Sequence, residues 1–234
     1  MATLFVVATP IGNLEDLTIR AINVLSNVDF ILCEDTRVTR VLLERYHIKT
    51  QVISYHQHSG LGKVRQILDL LEEGKDLALV TDAGTPGIND PGGKLIETVS
   101  AELPEVKIVP IPGPNAALAA LSVSGMPTDR FTFLGFPPHK KGRQTFFKRI
   151  AEIEHTVVFY ESKHRIMKAL EQLRELAHIE QRKILVAREI TKQFETMYRG
   201  TLEEIIAALT AKDPLGEFVV VIGPIGRSRE INEE

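Results

Sequence analysis

A short polar stretch, Glu34-Asp35-Thr36-Arg37, directly follows an apolar run that ends at Cys33. Two acids beside an arginine suit the recognition of a charged or polar ligand. The same residue types also suit the start of a helix, with Asp35 or Thr36 as the N-cap and Arg37 in solvent. Both interpretations stay open, although a position after a buried strand favours a functional one. A further alternative is a phosphate-ester enzyme that holds Mg²⁺ with Glu34, Asp35 and Asp82.

Three loops rich in glycine and proline each follow a short apolar run. The first Gly/Pro loop is TPIGNL at 9–14, the second is TDAGTPGINDPGG at 81–93, and the third is PIPGPN at 110–115. The second is much longer than a simple turn requires, and long ordered loops in compact domains are usually functional. Because ligands bind at the carboxyl ends of parallel strands, we expect these loops to line one small-molecule cleft.

Two basic stretches follow apolar runs in the second half of the chain. The first basic stretch is HKKGR at 139–143, after two prolines and several aromatic residues, and the second is KHR at 163–165. Clusters of this kind can bind phosphates, and nearby rings can stack on bases. Short charged runs are more often simply solvated, so a local positive patch is a hypothesis.

Several common chemistries lack their sequence patterns here. The chain contains neither G-x-G-x-x-G nor the Walker pattern, and neither Gly-x-Ser-x-Gly nor His-Glu-x-x-His. Cys33 is the only cysteine, which excludes a disulfide within the chain and a thiolate metal cluster. His56 and His58 could bind a metal, but no third ligand follows at a suitable spacing, so we expect no metal site.

Length and composition indicate an ordinary globular protein. The chain has 234 residues, of which 44% are hydrophobic and 25% charged, and its formal net charge is −3. This length suffices for two modest α/β domains, and the charge gives no global basic field towards nucleic acid. We find no signal-peptide pattern and no apolar segment of membrane-spanning length, so we expect a cytoplasmic protein.

Up to about residue 112, short apolar strands alternate with amphipathic helices, which is typical of a parallel sheet covered on both faces. The second half is less regular, and its consecutive strands after Lys183 predict a mixed sheet. We place the boundary near Gly113, with one α/β domain at 1–113 and another at 114–234. The predicted strands are 4–8, 28–33, 51–55, 76–80, 106–109, 131–136, 156–160, 183–187, 195–199 and 218–222.

Taken together, these stretches resemble the tetrapyrrole methylase superfamily, and specifically the ribosomal RNA small subunit methyltransferase I family. The matching blocks span nearly the whole chain in the order of that family: VATPIGNLEDLT, CEDTR, TDAGTPGINDPG, PIPGPNAALAALSVSG, FLGFPPHKKGR, FYESKHR, AREITK and GEFVVVIGP. The resemblance implies two α/β domains with S-adenosylmethionine in the cleft between them, and a homodimer. It also implies methyl transfer to a cytidine ribose 2′-hydroxyl of 16S ribosomal RNA.

The resemblance assigns cofactor contacts to all three Gly/Pro loops, where small residues allow a ligand to approach the backbone. These residues are Pro10 in the first loop, Asp82, Gly84, Thr85 and Ile88 in the second, and Gly113, Asn115 and Ala116 in or beside the third. It assigns RNA contacts to CEDTR and to the basic stretches, with Arg37, Lys140, Lys141 and Arg143 as substrate-binding residues. Many members of the family continue past GEFVVVIGP into a small extra domain, whereas this sequence ends at Glu234.

Methyl transfer from a sulfonium requires no metal, but a ribose hydroxyl is a weak nucleophile. A carboxylate or a neutral amine could remove its proton, and the candidates are Asp35, Glu34 and Lys163. Two other functions remain open: a methylase of a tetrapyrrole or another small acceptor, and a non-catalytic RNA- or nucleotide-binding protein. CEDTR and the HKKGR stretch argue against the former, and three loops that suit a cofactor argue against the latter.

Overall fold

The computed structural model describes residues 2–56, 59–90, 92–210 and 215–226. The chain divides into two compact units, Met1–Asn115 and Ala116–Glu234, and each contains a five-stranded sheet. His58, which we considered as a metal ligand, lies outside the described residues. None of the described helices has the length and apolar character of a membrane span.

All strand pairs of the sheet in the first unit are parallel, in the order β3-β2-β4-β1-β5. This arrangement confirms the predicted parallel sheet. Its strands are β1 (Thr3–Val7), β2 (Phe30–Cys33), β3 (Gln51–Ser54), β4 (Leu77–Leu79) and β5 (Lys107–Ile111). Its helices are α1 (Ile19–Asn27), α2 (Thr36–Arg45), α3 (Leu61–Glu72) and α4 (Gly92–Glu102).

Helices cover both faces of this sheet. Successive side chains of a strand point to opposite faces, so each strand contributes to the packing on both. Leu4, Leu32 and Leu77 pack against α3 and α4 on one face. Ile31 and Ala78 pack against α1 and α2 on the other face. Burying each large aliphatic side chain contributes about 1.5–3 kcal/mol, so the strands are firmly fixed. Because the strands are parallel, the loops that follow them leave the same edge of the sheet.

The sheet of the second unit is mixed, in the order β6-β7-β10-β8-β9, as predicted. Strand β6 pairs with β7 in parallel, and the other neighbouring pairs are antiparallel. The strands are β6 (Phe131–Phe133), β7 (Thr156–Ser162), β8 (Ile184–Arg188), β9 (Thr196–Gly200) and β10 (Glu217–Ile222). The helices are α5 (Ala116–Ser122), α6 (Arg143–Glu152), α7 (Ile166–Arg174) and α8 (Leu202–Thr210).

Two predicted elements of the second unit are shorter in the structure. The strand predicted at 131–136 ends at Phe133, because Gly135 adopts a φ of 66°, which interrupts the extended backbone. The sequence pattern also predicts a helix over 163–176. That helix begins only at Ile166, because a turn closed by the Arg165 N–H and the Ser162 carbonyl precedes it. Both differences place additional loop residues at the carboxyl ends of β6 and β7.

Candidate functional site

The structure brings the three Gly/Pro loops together at the carboxyl edge of the parallel sheet. Thr9 and Gly84 exchange two backbone hydrogen bonds of 2.9 and 3.1 Å, which join the first loop to the second. The Thr9 hydroxyl also donates to the Thr81 carbonyl at 3.0 Å. The Thr85 hydroxyl donates to the Pro114 carbonyl at 3.2 Å and joins the second loop to the third. These contacts confine the three loops to one small region.

Two glycines in these loops are required by the backbone itself. Gly84 has a φ of 88°, a conformation that other residues rarely adopt. A Cβ atom at Gly113 would lie only 2.9 Å from the Cβ of Ala8, so a side chain there would push the third loop away from the residue that precedes the first loop. Gly113 therefore allows the third loop to approach the end of β1, and Gly84 gives the second loop its left-handed turn.

Asp90 organises the second loop, a role that was not predicted from the sequence. The Thr81 hydroxyl donates to its carboxylate, and the backbone N–H of Gly92 donates to Oδ1 at 3.0 Å. The N–H of Gly87 lies 3.4 Å from the same oxygen. An aspartate followed by Pro-Gly-Gly at the start of a helix was the available sequence signal, because aspartate commonly accepts hydrogen bonds at helix N-termini.

The other predicted cofactor residues differ in exposure. Pro10 is buried and Asp82 is exposed. Ile88 is 48% exposed and leaves apolar surface beside the second loop. Asn115 is the last residue of the first unit, and Ala116 begins α5 in the second.

Asp35 is the N-cap of α2, as one of the two interpretations expected. Its Oδ1 accepts the backbone N–H of Arg37 at 2.8 Å, and its Oδ2 lies 2.6 Å from a guanidinium nitrogen of Arg37. The hydrogen bonds from the Arg37 side chain and backbone lower the pKa of Asp35 to about 2. Although the Arg37 side chain is exposed, its charge is already paired with the carboxylate of Asp35.

The neighbouring carboxyl groups have pKa values shifted in the opposite direction. Glu34 is exposed, but partial desolvation raises the pKa of its carboxyl group, and the charges of Asp82 and Asp90 raise it further. Partial desolvation also raises the pKa of the Asp82 carboxyl group, although its Oδ1 accepts the Asp35 N–H at 3.2 Å. Glu34 lines a small pocket together with Tyr55, Thr81 and Asp90. Neighbouring carboxyl groups with divergent pKa values are typical of acid–base sites.

The alternative of a Mg²⁺ site built from Glu34, Asp35 and Asp82 lacks structural support. Within the parts of the chain that the structure describes, no three His, Cys, Asp or Glu side chains are placed to hold a metal ion. Asp35 already uses its carboxylate to cap α2 and to bind Arg37.

In the second unit, the basic stretches lie at the carboxyl ends of the parallel strands β6 and β7. Lys140, Lys141 and Lys163 are exposed there. Phe136 is 47% exposed, and its ring packs edge-on against Tyr160 with 5.3 Å between the centroids. Cationic groups and an exposed ring therefore occur together at this edge.

Arg143 is buried, whereas a side chain that binds phosphate has to be exposed. It is only 4% exposed, and its guanidinium pairs with the fully buried Glu161 at 3.1 Å. Its Nε donates to Gln172 at 2.7 Å, and the guanidinium lies over the ring of Phe147 at 5.2 Å from the centroid. The sequence did not reveal this, since the partner carboxylate lies 18 residues further along the chain.

Comparison with known proteins identifies the family. The family described as Tetrapyrrole (Corrin/Porphyrin) Methylases matches residues 3–206. Ribosomal RNA small subunit methyltransferase I of Thermotoga maritima is 44% identical over 222 residues, which cover 95% of this chain and 98% of that protein. The chain belongs to the tetrapyrrole methylase family, in its ribosomal RNA small subunit methyltransferase I branch.

Other matches agree with this assignment. The ribosomal RNA small subunit methyltransferase I of Synechocystis sp. is 45% identical over 95% of this chain and 79% of its own length. Among solved structures, the methyltransferase CobJ matches with a TM-score of 0.70 and 22% identity, over 98% of this chain and 97% of that one. The structural match bears on the fold, and family membership confirms the expected enzyme class, a methyltransferase.

Proposed function

We propose that this protein transfers a methyl group from S-adenosylmethionine to a cytidine ribose 2′-hydroxyl in the 16S RNA of the small ribosomal subunit. The observation that carries the proposal is the group of three joined Gly/Pro loops at the carboxyl edge of a parallel sheet. The acceptor follows from the relatives at 44–45% identity, whose names specify small-subunit ribosomal RNA. These names favour RNA over a tetrapyrrole or another small acceptor.

The residues at this edge fit S-adenosylmethionine in type. Gly84 and Gly113 keep side chains out of the region where the loops meet, so backbone groups can contact a ligand. Ile88 offers apolar surface for an adenine ring, and the exposed carboxylate of Asp82 can accept from a hydroxyl or an ammonium group. When bound, S-adenosylmethionine supplies a methyl group that its positive sulfonium makes electrophilic.

Glu34 is the best of the three candidate bases for the ribose hydroxyl. A general base accepts a proton more readily when its pKa is higher, and the pKa of Glu34 is raised whereas that of Asp35 is lowered to about 2. Asp35 is also engaged with Arg37. Lys163 is exposed at the edge of the second sheet, where it is better suited to contact phosphate.

We propose Lys140, Lys141 and Lys163 as the phosphate contacts of the RNA, with Phe136 available to stack on a base. Arg143 is left out of this set because it is buried against Glu161. Arg37 stays a weaker candidate, since Asp35 neutralises its charge. A ribosomal acceptor also implies a cytoplasmic site of action, and the family resemblance implies a homodimer.

The test is transfer of a tritiated methyl group from S-adenosylmethionine to small ribosomal subunits isolated from cells that lack this protein. Nuclease digestion and nucleoside mapping would follow, with protein-free 16S RNA as a parallel substrate. We expect tritium in 2′-O-methylcytidine. Label in a methylated base or in an added tetrapyrrole, or no label despite calorimetric binding of S-adenosylmethionine, would contradict the proposal.

A further inference from the structure

We propose that Glu161 and Arg165, together with Arg143, are positioning residues that hold the loop of residues 137–142 in the conformation in which its lysines meet the phosphates of the RNA. The inference rests on the proposed function, because it concerns how the proposed RNA contacts are presented. These three side chains form an ionic cluster, and both arginines contact the backbone at the start of that loop.

Glu161 is the centre of the cluster. Its side chain is fully buried at the end of β7, and its two carboxylate oxygens bind different arginines. Oε2 lies 3.1 Å from Nη2 of Arg143, and Oε1 lies 3.0 Å from Nε of Arg165. Oε1 also accepts the backbone N–H of Ser162 at 2.8 Å. The carboxylate is therefore well satisfied and held in one orientation.

Both arginines reach from this carboxylate to the backbone of the loop. Nη1 of Arg165 donates to the Pro137 carbonyl, and Nη1 of Arg143 donates to the Pro138 carbonyl, each at 3.4 Å. These bonds hold the start of the loop against the end of β7. The lysines that follow, Lys140 and Lys141, stay exposed. The cluster thus fixes the loop backbone while leaving its cationic side chains in solvent.

The energetics favour a positioning role over a stabilising one. Removing charges from water costs much of what a buried ion pair gains, so such clusters are poor sources of stability. A binding loop that is already ordered, by contrast, loses less conformational entropy when its ligand arrives. Two guanidinium groups against one carboxylate also leave a net positive charge at the start of the loop.

The most informative variant is Arg165→Lys. Lysine can keep the ionic contact with Glu161, but it cannot also reach the Pro137 carbonyl with a second, rigidly placed nitrogen. Arg165 is 18% exposed, so its replacement is milder than that of the buried Arg143. The matched control is Arg174→Lys in the same unit, since Arg174 pairs with Glu171 and Glu203 on the surface.

We expect Arg165→Lys to raise the KM for small-subunit RNA roughly fivefold to tenfold, which corresponds to about 1–1.4 kcal/mol. The rate at saturating RNA and the affinity for S-adenosylmethionine should stay within twofold of the parent. Hydrogen exchange should accelerate in peptides that cover 139–143. Arg174→Lys should change neither KM nor exchange in those peptides.

A double-mutant cycle with Lys140→Ala/Lys141→Ala separates the two levels of inference. If Arg165 acts through the lysines, adding Arg165→Lys to that variant should raise KM no further. A raised KM for Lys140→Ala/Lys141→Ala combined with an unchanged KM for Arg165→Lys would overturn the positioning role alone. Full additivity would also overturn it. An unchanged KM for the lysine variant would contradict the RNA contacts of the proposed function.

Discussion

The edges of the two sheets hold their loops by different kinds of contact. In the first unit, backbone and hydroxyl hydrogen bonds join the Gly/Pro loops, through Thr9, Gly84 and Thr85. In the second unit, two arginines paired with the buried Glu161 donate hydrogen bonds to the backbone of the 137–142 loop. The first arrangement leaves backbone groups, the apolar surface of Ile88 and the carboxylate of Asp82 for a compact ligand. The second leaves lysines free for a polyanion. The contrast indicates how one chain can serve a cofactor and an RNA.

The largest effect should come from Glu34→Gln. Loss of a positioned general base typically lowers a rate by roughly 10²-fold or more. We expect this loss in single-turnover methyl transfer at saturating RNA and S-adenosylmethionine, with cofactor affinity unchanged. A rate within threefold of the parent would exclude Glu34 as the base.

The pH dependence of the single-turnover rate also tests whether Glu34 is the base. The raised pKa of Glu34 means that the base is lost to protonation at a pH above the ordinary range of a glutamate. The single-turnover rate should therefore fall as the pH decreases through that raised pKa, and Glu34→Gln should abolish this acidic limb. Persistence of the limb in the variant would assign it to another group, of which Asp82 is the nearest candidate by its own raised pKa.

The next effect should come from Gly84→Ala, compared with Gly74→Ala. Both glycines have a positive φ, 88° and 84°, but Gly74 lies after α3, at the opposite edge of the sheet. Alanine should cost each variant a similar 1–2 kcal/mol of folding free energy, roughly the cost of a left-handed residue. Calorimetry should show S-adenosylmethionine binding weakened about tenfold or more only in Gly84→Ala, because there the strain falls on the joined loops. Equal cofactor affinity in the two variants would contradict the assignment of the second loop.

A smaller and salt-dependent effect should come from Lys140→Ala/Lys141→Ala. Loss of two phosphate contacts should raise the KM for RNA and lower the log–log salt slope by roughly 1–2 units. Cofactor affinity should not change. Lys148→Ala/Arg149→Ala is the matched control, since this pair is also exposed but lies within α6. A similar loss of slope in both variants would mean that only the overall charge matters.

The smallest effect should come from Asp35→Asn. Asparagine caps a helix about as well as aspartate, so α2 should keep its N-terminus. Because Asp35 is engaged with Arg37, we expect the single-turnover rate to stay within about threefold of the parent. A hundredfold loss would restore Asp35 as the base and weaken the case for Glu34.

Much of the fold could be predicted from the sequence, because local pattern and burial agree there. The nearly continuous apolar strands of the first half predicted a parallel sheet, and the sheet is parallel throughout. Strand ends were less predictable. The left-handed φ of Gly135 depends on how the 131–136 segment meets β7, which a single residue type does not reveal.

The parts of the candidate site that could be predicted are those that the order and direction of the strands alone bring together. Loops that follow parallel strands leave the same edge, so the meeting of the three Gly/Pro loops could be expected. The role of Asp90 could not, because it depends on contacts with Thr81 and Gly92 that only the folded loop makes. Arg143 looked like part of an exposed basic run, and its burial depends on Glu161, a partner outside the run.

The central claim is that the cofactor binds at the edge of the first sheet and the RNA at the edge of the second. Photocrosslinking followed by peptide mapping tests this most directly. One sample would contain a photoreactive analogue of S-adenosylmethionine, and the other would contain small-subunit RNA with 4-thiouridine. We predict cofactor crosslinks in peptides that cover 82–88 or 113–115, and RNA crosslinks in peptides that cover 136–142 or 163–165. RNA crosslinks confined to the Gly/Pro loops, or cofactor crosslinks in the 137–142 loop, would contradict this division.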